Sequence, residues 1–127
     1  MSSMAKGVMT LGVIFIIIGI WGFFQNPVFG IFAVDGAHNL VHLVSGILAV
    51  SFASLDDDRT KQFAKVFGYL YGLIMLAGFV TRRPELFGMT INNADNFLHL
   101  FFAVVFLYLG YSHARGMEPM RHAAVAR

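Results

Sequence analysis

The chain has 127 residues, enough for one small domain and too few for separate catalytic and regulatory modules. Its residues are 57% hydrophobic and only 13% charged, about half the charged share of a soluble domain, so the composition points to the bilayer as solvent. Cysteine is absent, which excludes disulfides, thiolate metal sites and a cysteine nucleophile, and a net charge of +2 without a basic run argues against nucleic acid as a partner.

A spanning helix needs roughly 20 mainly apolar residues. Four stretches meet that length: about Met4 to Phe24, Gly36 to Leu55, Phe63 to Val80, and Ala94 to Ser112. The first follows Lys6 but is too long for a signal-peptide core, and no small-residue cleavage pattern follows it, so it reads as a retained span. The run Asp56-Asp57-Asp58-Arg59-Thr60-Lys61 is the one strongly hydrophilic connection. Acids favour the first turn of a helix, so this run reads as a solvated turn and helix start rather than an ion site.

Lys6, Arg59, Lys61, Lys65, Arg115, Arg121 and Arg127 fall on one side of such a bundle, and only Arg82 and Arg83 on the other. The positive-inside rule then puts both termini in the cytoplasm. Residues 1–113 form an all-α, four-transmembrane-helix bundle in this reading, and 114–127 a cytoplasmic tail carrying His122.

Two polar stretches open the second and fourth spans. Asp35-Gly36-Ala37-His38-Asn39-Leu40-Val41-His42-Leu43 and Asn92-Asn93-Ala94-Asp95-Asn96-Phe97-Leu98-His99-Leu100 share the ending Asn-x-x-His-Leu. Pro27 and Pro84 each precede a Phe-Gly pair, Phe29-Gly30 and Phe87-Gly88, in loops that are apolar where a soluble loop would be polar. Lys6 and Gly19 match Lys65 and Gly78 at a shift of 59, the Phe-Gly pairs at 58 and the Asn-x-x-His endings at 57. The unit is a helical hairpin used twice, at about 4–55 and 63–112, and both copies have the same orientation, the parallel kind of repeat. Glycines on the first and third spans (Gly12, Gly19, Gly22; Gly68, Gly72, Gly78) suit close helix approach in lipid.

Asp35 and Asn92 are expected to cap their helices. His38 and Asp95, Asn39 and Asn96, and His42 and His99 then follow at matched depth, the deeper pair about 10 Å in. Intramembrane polar groups of this kind either join helices or form a site. In the first reading His38 pairs with Asp95, while Asn39 and Asn96 bond to backbone or to each other. The protein is then a non-enzymatic accessory or interaction protein with no cofactor, whose partners are the bilayer and a second copy or another membrane protein. In the alternative, His42 and His99 hold b-type haem as paired axial ligands, or a divalent metal with His38 and Asp95 added, or the cluster lines a proton or small-solute path. Ser45 stands one turn from His42, but no oxyanion donor or acid accompanies it, which argues against hydrolase chemistry. No phosphate loop, nucleophile elbow or His-Glu-x-x-His motif is present.

His-Asn-Leu-Val-His-Leu in the second span and Ala-Asp-Asn-Phe-Leu-His-Leu in the fourth, with the two Phe-Gly loops, resemble a bacterial family of small four-helix membrane proteins of unknown function. The resemblance covers nearly the whole chain except the C-terminal tail. It implies four spans and a location in the bacterial plasma membrane, and brings no activity, ligand or partner.

Overall fold

The first N–H groups of a helix have no partner within it, and a short polar side chain just before the helix can accept from one of them. In the computed structural model, which describes residues 1–112, a short polar side chain supplies that acceptor four times. Ser2 accepts from the Ala5 N–H at 3.0 Å, Asp35 from His38 at 2.8 Å, Asp56 from Arg59 at 2.9 Å and Asn92 from Asp95 at 3.0 Å. The helices that follow are α1 (Ser3–Trp21), α2 (Gly36–Ala53), α3 (Asp57–Thr81) and α4 (Asn93–Tyr111). All four are long and apolar enough to cross a membrane. Between α3 and α4 lies a two-stranded hairpin, β1 (Glu85–Leu86) and β2 (Met89–Thr90). α3 starts at Asp57 rather than near Phe63 because Asp56 caps it, with Asp57 and Asp58 in its first turn. The tail from 113 onward, including His122, lies outside the described residues.

α1 packs mainly on α2, and α3 mainly on α4. Close approach at small residues makes the first contact possible: a Cβ added to Gly46 would lie 2.6 Å from the Gly12 carbonyl oxygen. Gly68 meets Leu107 side-chain carbon at 2.6 Å in the same test, whereas Gly72 meets only Ala103 Cβ, at 3.8 Å. Of the two glycines in the Gly68-x-x-x-Gly72 pattern, one is therefore a contact and the other is open. The fully buried Phe15 ring joins the two hairpins, stacked on Phe102 at 4.1 Å and tilted against Tyr71 at 5.1 Å. Val13, Ile17, Val44, Leu73, Val80 and Val104 are among the side chains left exposed, as lipid-facing positions are.

Both Phe-Gly pairs turn the chain in the same way. Phe29 (φ 54°) and Gly30 (φ 75°) carry positive φ in succession, as do Phe87 (φ 51°) and Gly88 (φ 75°). Positive φ at both central residues is what a type I′ hairpin turn requires. The Ile31 N–H closes the first turn on Val28 oxygen at 3.1 Å, and Leu86 pairs with Met89 across the second. The loops also grip each other through the helix caps. The second Asp35 oxygen accepts from the Thr90 N–H at 2.6 Å, and the Asn92 amide donates to the Ile31 carbonyl at 2.8 Å.

Candidate functional site

His38 and His42 are four residues apart on α2, so their rings stand one above the other on one helix face. Their centroids are 4.3 Å apart. Facing them from α4, the His99 ring lies 5.8 Å from His38 and 6.0 Å from His42. All three are buried, at 2%, 1% and 2% exposure. One ring nitrogen of each lies within 4.8 Å of the others.

Hydrogen bonding fixes one of these rings. His38 Nδ1 stands 2.8 Å from the Thr90 carbonyl oxygen, so that nitrogen carries the proton and Nε2 is left with a free lone pair. His38 Nε2, both nitrogens of His42 and His99 Nδ1 are buried without a partner. Thr90 is itself held by Asp35, which makes a continuous path from carboxylate to β2 backbone to imidazole. Burial works against the charged form of Asp35, but the N–H groups of His38 and Thr90 outweigh it and hold the carboxyl below its ordinary range.

Between the rings is a void of about 10 Å³, walled by the three histidines with Val41, Tyr71 and Ile91 among others. That is the size of one water or one ion. The Phe15 ring packs edge to face on His42, with centroids 5.6 Å apart. At one side, the Tyr71 hydroxyl bonds to Ser45 at 2.9 Å. An ion on three imidazoles would sit about 2.0–2.1 Å from each nitrogen, so from a spacing of up to 4.8 Å the rings must turn inward to close on one.

The other polar residues do different work. Asp95 does not pair with His38: one of its oxygens accepts from the Asn92 N–H at 2.9 Å, completing a capping box, and the other is buried without a partner. It also lies outside the histidine group. Asn39 and Asn96 do not bond to each other. Asn39 lies against Gly22 and Asn96 against Gly78, so closely that a Cβ on either glycine would overlap the amide. Gly22 and Gly78 thus make like contacts, while Gly19 rests on α2 backbone, 2.8 Å from Leu43 nitrogen in the same test. Thr90 and Tyr71 were not among the residues expected from sequence. Thr90 acts through its backbone, which no residue pattern reveals, but a tyrosine inside an apolar span does signal a buried hydroxyl partner.

No curated protein and no solved structure matches the chain. The matching family is described as a domain of unknown function, DUF4383, and its match runs over residues 6–112. That range takes in all the helices apart from the first residues of α1, together with both loops and every residue of the histidine group, and the chain belongs to that family.

Proposed function

We propose that this multi-pass membrane protein holds a single transition-metal ion on His38, His42 and His99, near the end of the bundle that carries the two hairpin loops. One observation carries the reading: three buried imidazoles converge on an atom-sized void with bare nitrogens. An unmet buried nitrogen costs about 1–3 kcal/mol, and a shared ion relieves several at once. Three neutral imidazoles suit Zn²⁺ and its neighbours, and they leave a fourth position open for water or another ligand. The path from Asp35 through Thr90 to His38 is the kind of outer support that metal-bound histidines have. A macrocycle finds no room in about 10 Å³, so a bare ion is favoured over haem.

The second reading is a ligand-free role in which the polar groups join the hairpins of an accessory or interaction protein. It is favoured by the bonds of His38 to Thr90, Asp35 to Thr90 and Asn92 to Ile31, which tie the loops without any guest. Both readings share the expected inner-membrane setting with cytoplasmic termini, inferred from the basic residues, and the duplicated hairpin. The duplication is supported by the matched Phe-Gly turns and the matched Gly–Asn contacts.

The deciding experiment is metal analysis of detergent-purified protein, followed by Co²⁺ loading and visible spectroscopy. A ratio near one ion per chain, with a tetrahedral Co²⁺ spectrum lost in His42→Ala and His99→Ala variants that remain helical, supports the site. A metal-free preparation that takes up no Co²⁺ leaves the joining role. A Soret band would reverse the preference against haem.

A further inference from the structure

Arg82 and Arg83 are the basic residues at the loop end of the bundle, and neither the fold nor the histidine site uses them. Among the described residues the ion pair is Arg59 with Asp56, so no carboxylate neutralises either guanidinium. Arg82 also ends α3 in the left-handed region, at φ 50°, where glycine or asparagine is the unstrained choice.

Two hollows meet at Arg82. One, of about 260 Å³, is lined by Arg82, Arg83, Asn93 and Asn96 among others. Asn96 is 3% exposed, and its amide oxygen is closed against Gly78, which leaves the two guanidiniums as the polar groups a ligand can reach. The positive end of α4 opens on the same space. The other hollow, of about 490 Å³, shares Arg82 and Asn93 and continues over Phe79 and Phe97, whose rings pack edge to face at 5.3 Å. Guanidinium groups suit a phosphate bidentately, and the half-buried Phe79 with the exposed Phe97 suits an acyl chain.

We propose that this is a binding site for one phospholipid, its phosphate between Arg82 and Arg83 and a chain along Phe79 and Phe97. Two guanidiniums without a carboxylate partner favour an anionic headgroup such as phosphoglycerol over a choline headgroup, which carries its own cation.

Native mass spectrometry of the full chain, taken from vesicles of phosphatidylglycerol and phosphatidylcholine mixed equally, tests this. One retained phosphatidylglycerol per chain is expected, with retention weakened roughly thirtyfold in the double variant Arg82→Gly, Arg83→Ser. Glycine relieves the left-handed backbone at 82, so this variant should melt no lower than the wild type, and a loss of binding cannot be put down to misfolding. Equal retention of both lipids by the wild type, or unchanged retention in the double variant, overturns the proposal. Displacement of the lipid by millimolar inorganic phosphate would make this a soluble-anion site and overturn it as well.

Discussion

Asp35 serves two masters with one carboxylate: Oδ1 caps α2 at the His38 N–H, 2.8 Å away, and Oδ2 takes the Thr90 N–H at 2.6 Å from the far loop. The two hairpins are thus locked at the point where the histidine site begins. Because these N–H donors act on the ionised form, the folded carboxyl titrates below its ordinary value despite the opposing effect of burial.

The sign of the pH effect follows. A carboxyl whose pKa is lowered on folding contributes stability that is complete above its unfolded value, near 3.9, and that disappears as pH falls through the folded value. Melting in detergent should therefore fall as pH drops below about 4, and Asp35→Asn should flatten part of that fall. Asp35→Ala removes the cap as well, for a loss of about 0.5–2 kcal/mol at neutral pH. An acid limb identical in wild type and Asp35→Asn would mean that the carboxylate–Thr90 bond contributes nothing.

The glycines separate by what they touch. Gly78→Ala drives a methyl into the Asn96 amide, and Gly19→Ala drives one into α2 backbone at Leu43, which cannot swing aside. Overpacking of this kind costs about 1–3 kcal/mol, with Gly19 the worse of the two. Gly72→Ala meets only Ala103 Cβ at 3.8 Å, and it should gain up to about 1 kcal/mol from helix propensity. Thermal unfolding of the three variants in one detergent gives the order directly.

Much of this fold could be read from the residues, and the physical reason is length. A run such as Ser3–Trp21 or Gly36–Ala53 admits few alternatives to a membrane-crossing helix, and Asp35 and Asn92 stand where caps are needed. The site was legible only in part. Spacing put His38 and His42 on one face of α2, but position 38 invited a salt-bridge-like match with Asp95. The structure instead spends Asp95 on its own helix start and gives His38 to a backbone carbonyl. Main-chain partners such as Thr90 oxygen have no residue signature. The glycine contacts were hidden for a related reason: α1 and α2 approach closely at Gly12 and Gly46, and spacing in the chain carries no information on where two helices meet.

Phe29 and Phe87 occupy turn positions that asparagine or glycine fills with less strain. Phe87 is 79% exposed, so its ring packs on little within the chain. Phe87→Asn should raise stability in detergent by about 0.5–1 kcal/mol, near the lower end of the cost of a left-handed residue. Phe29 differs because its ring meets Trp21 at 5.7 Å, and its N–H shares the Gln25 amide oxygen with the Trp21 indole. The gain from Phe29→Asn should be smaller. Equal gains at both sites would show that the Trp21 contact is energetically idle.

The histidine group makes the sharpest contrast between its two readings. His42 has two buried, unpartnered ring nitrogens, and in metal-free protein they are a liability of about 1–3 kcal/mol each. His42→Leu removes both while filling much of the same space against Phe15, so without metal the variant should melt higher than the wild type. Adding an ion at a hundred times its dissociation constant stabilises a binding-competent chain by about 2.7 kcal/mol. The wild type should therefore rise on titration with Zn²⁺ or Co²⁺ and draw level with or pass the variant, whose melting should not move. Asp35→Ala should rise less than the wild type at the same ion concentration, since loss of outer support weakens a metal site about 10–100-fold. If neither ion shifts the wild type and His42→Leu is destabilising in its absence, the imidazole is a packing element and the metal reading fails.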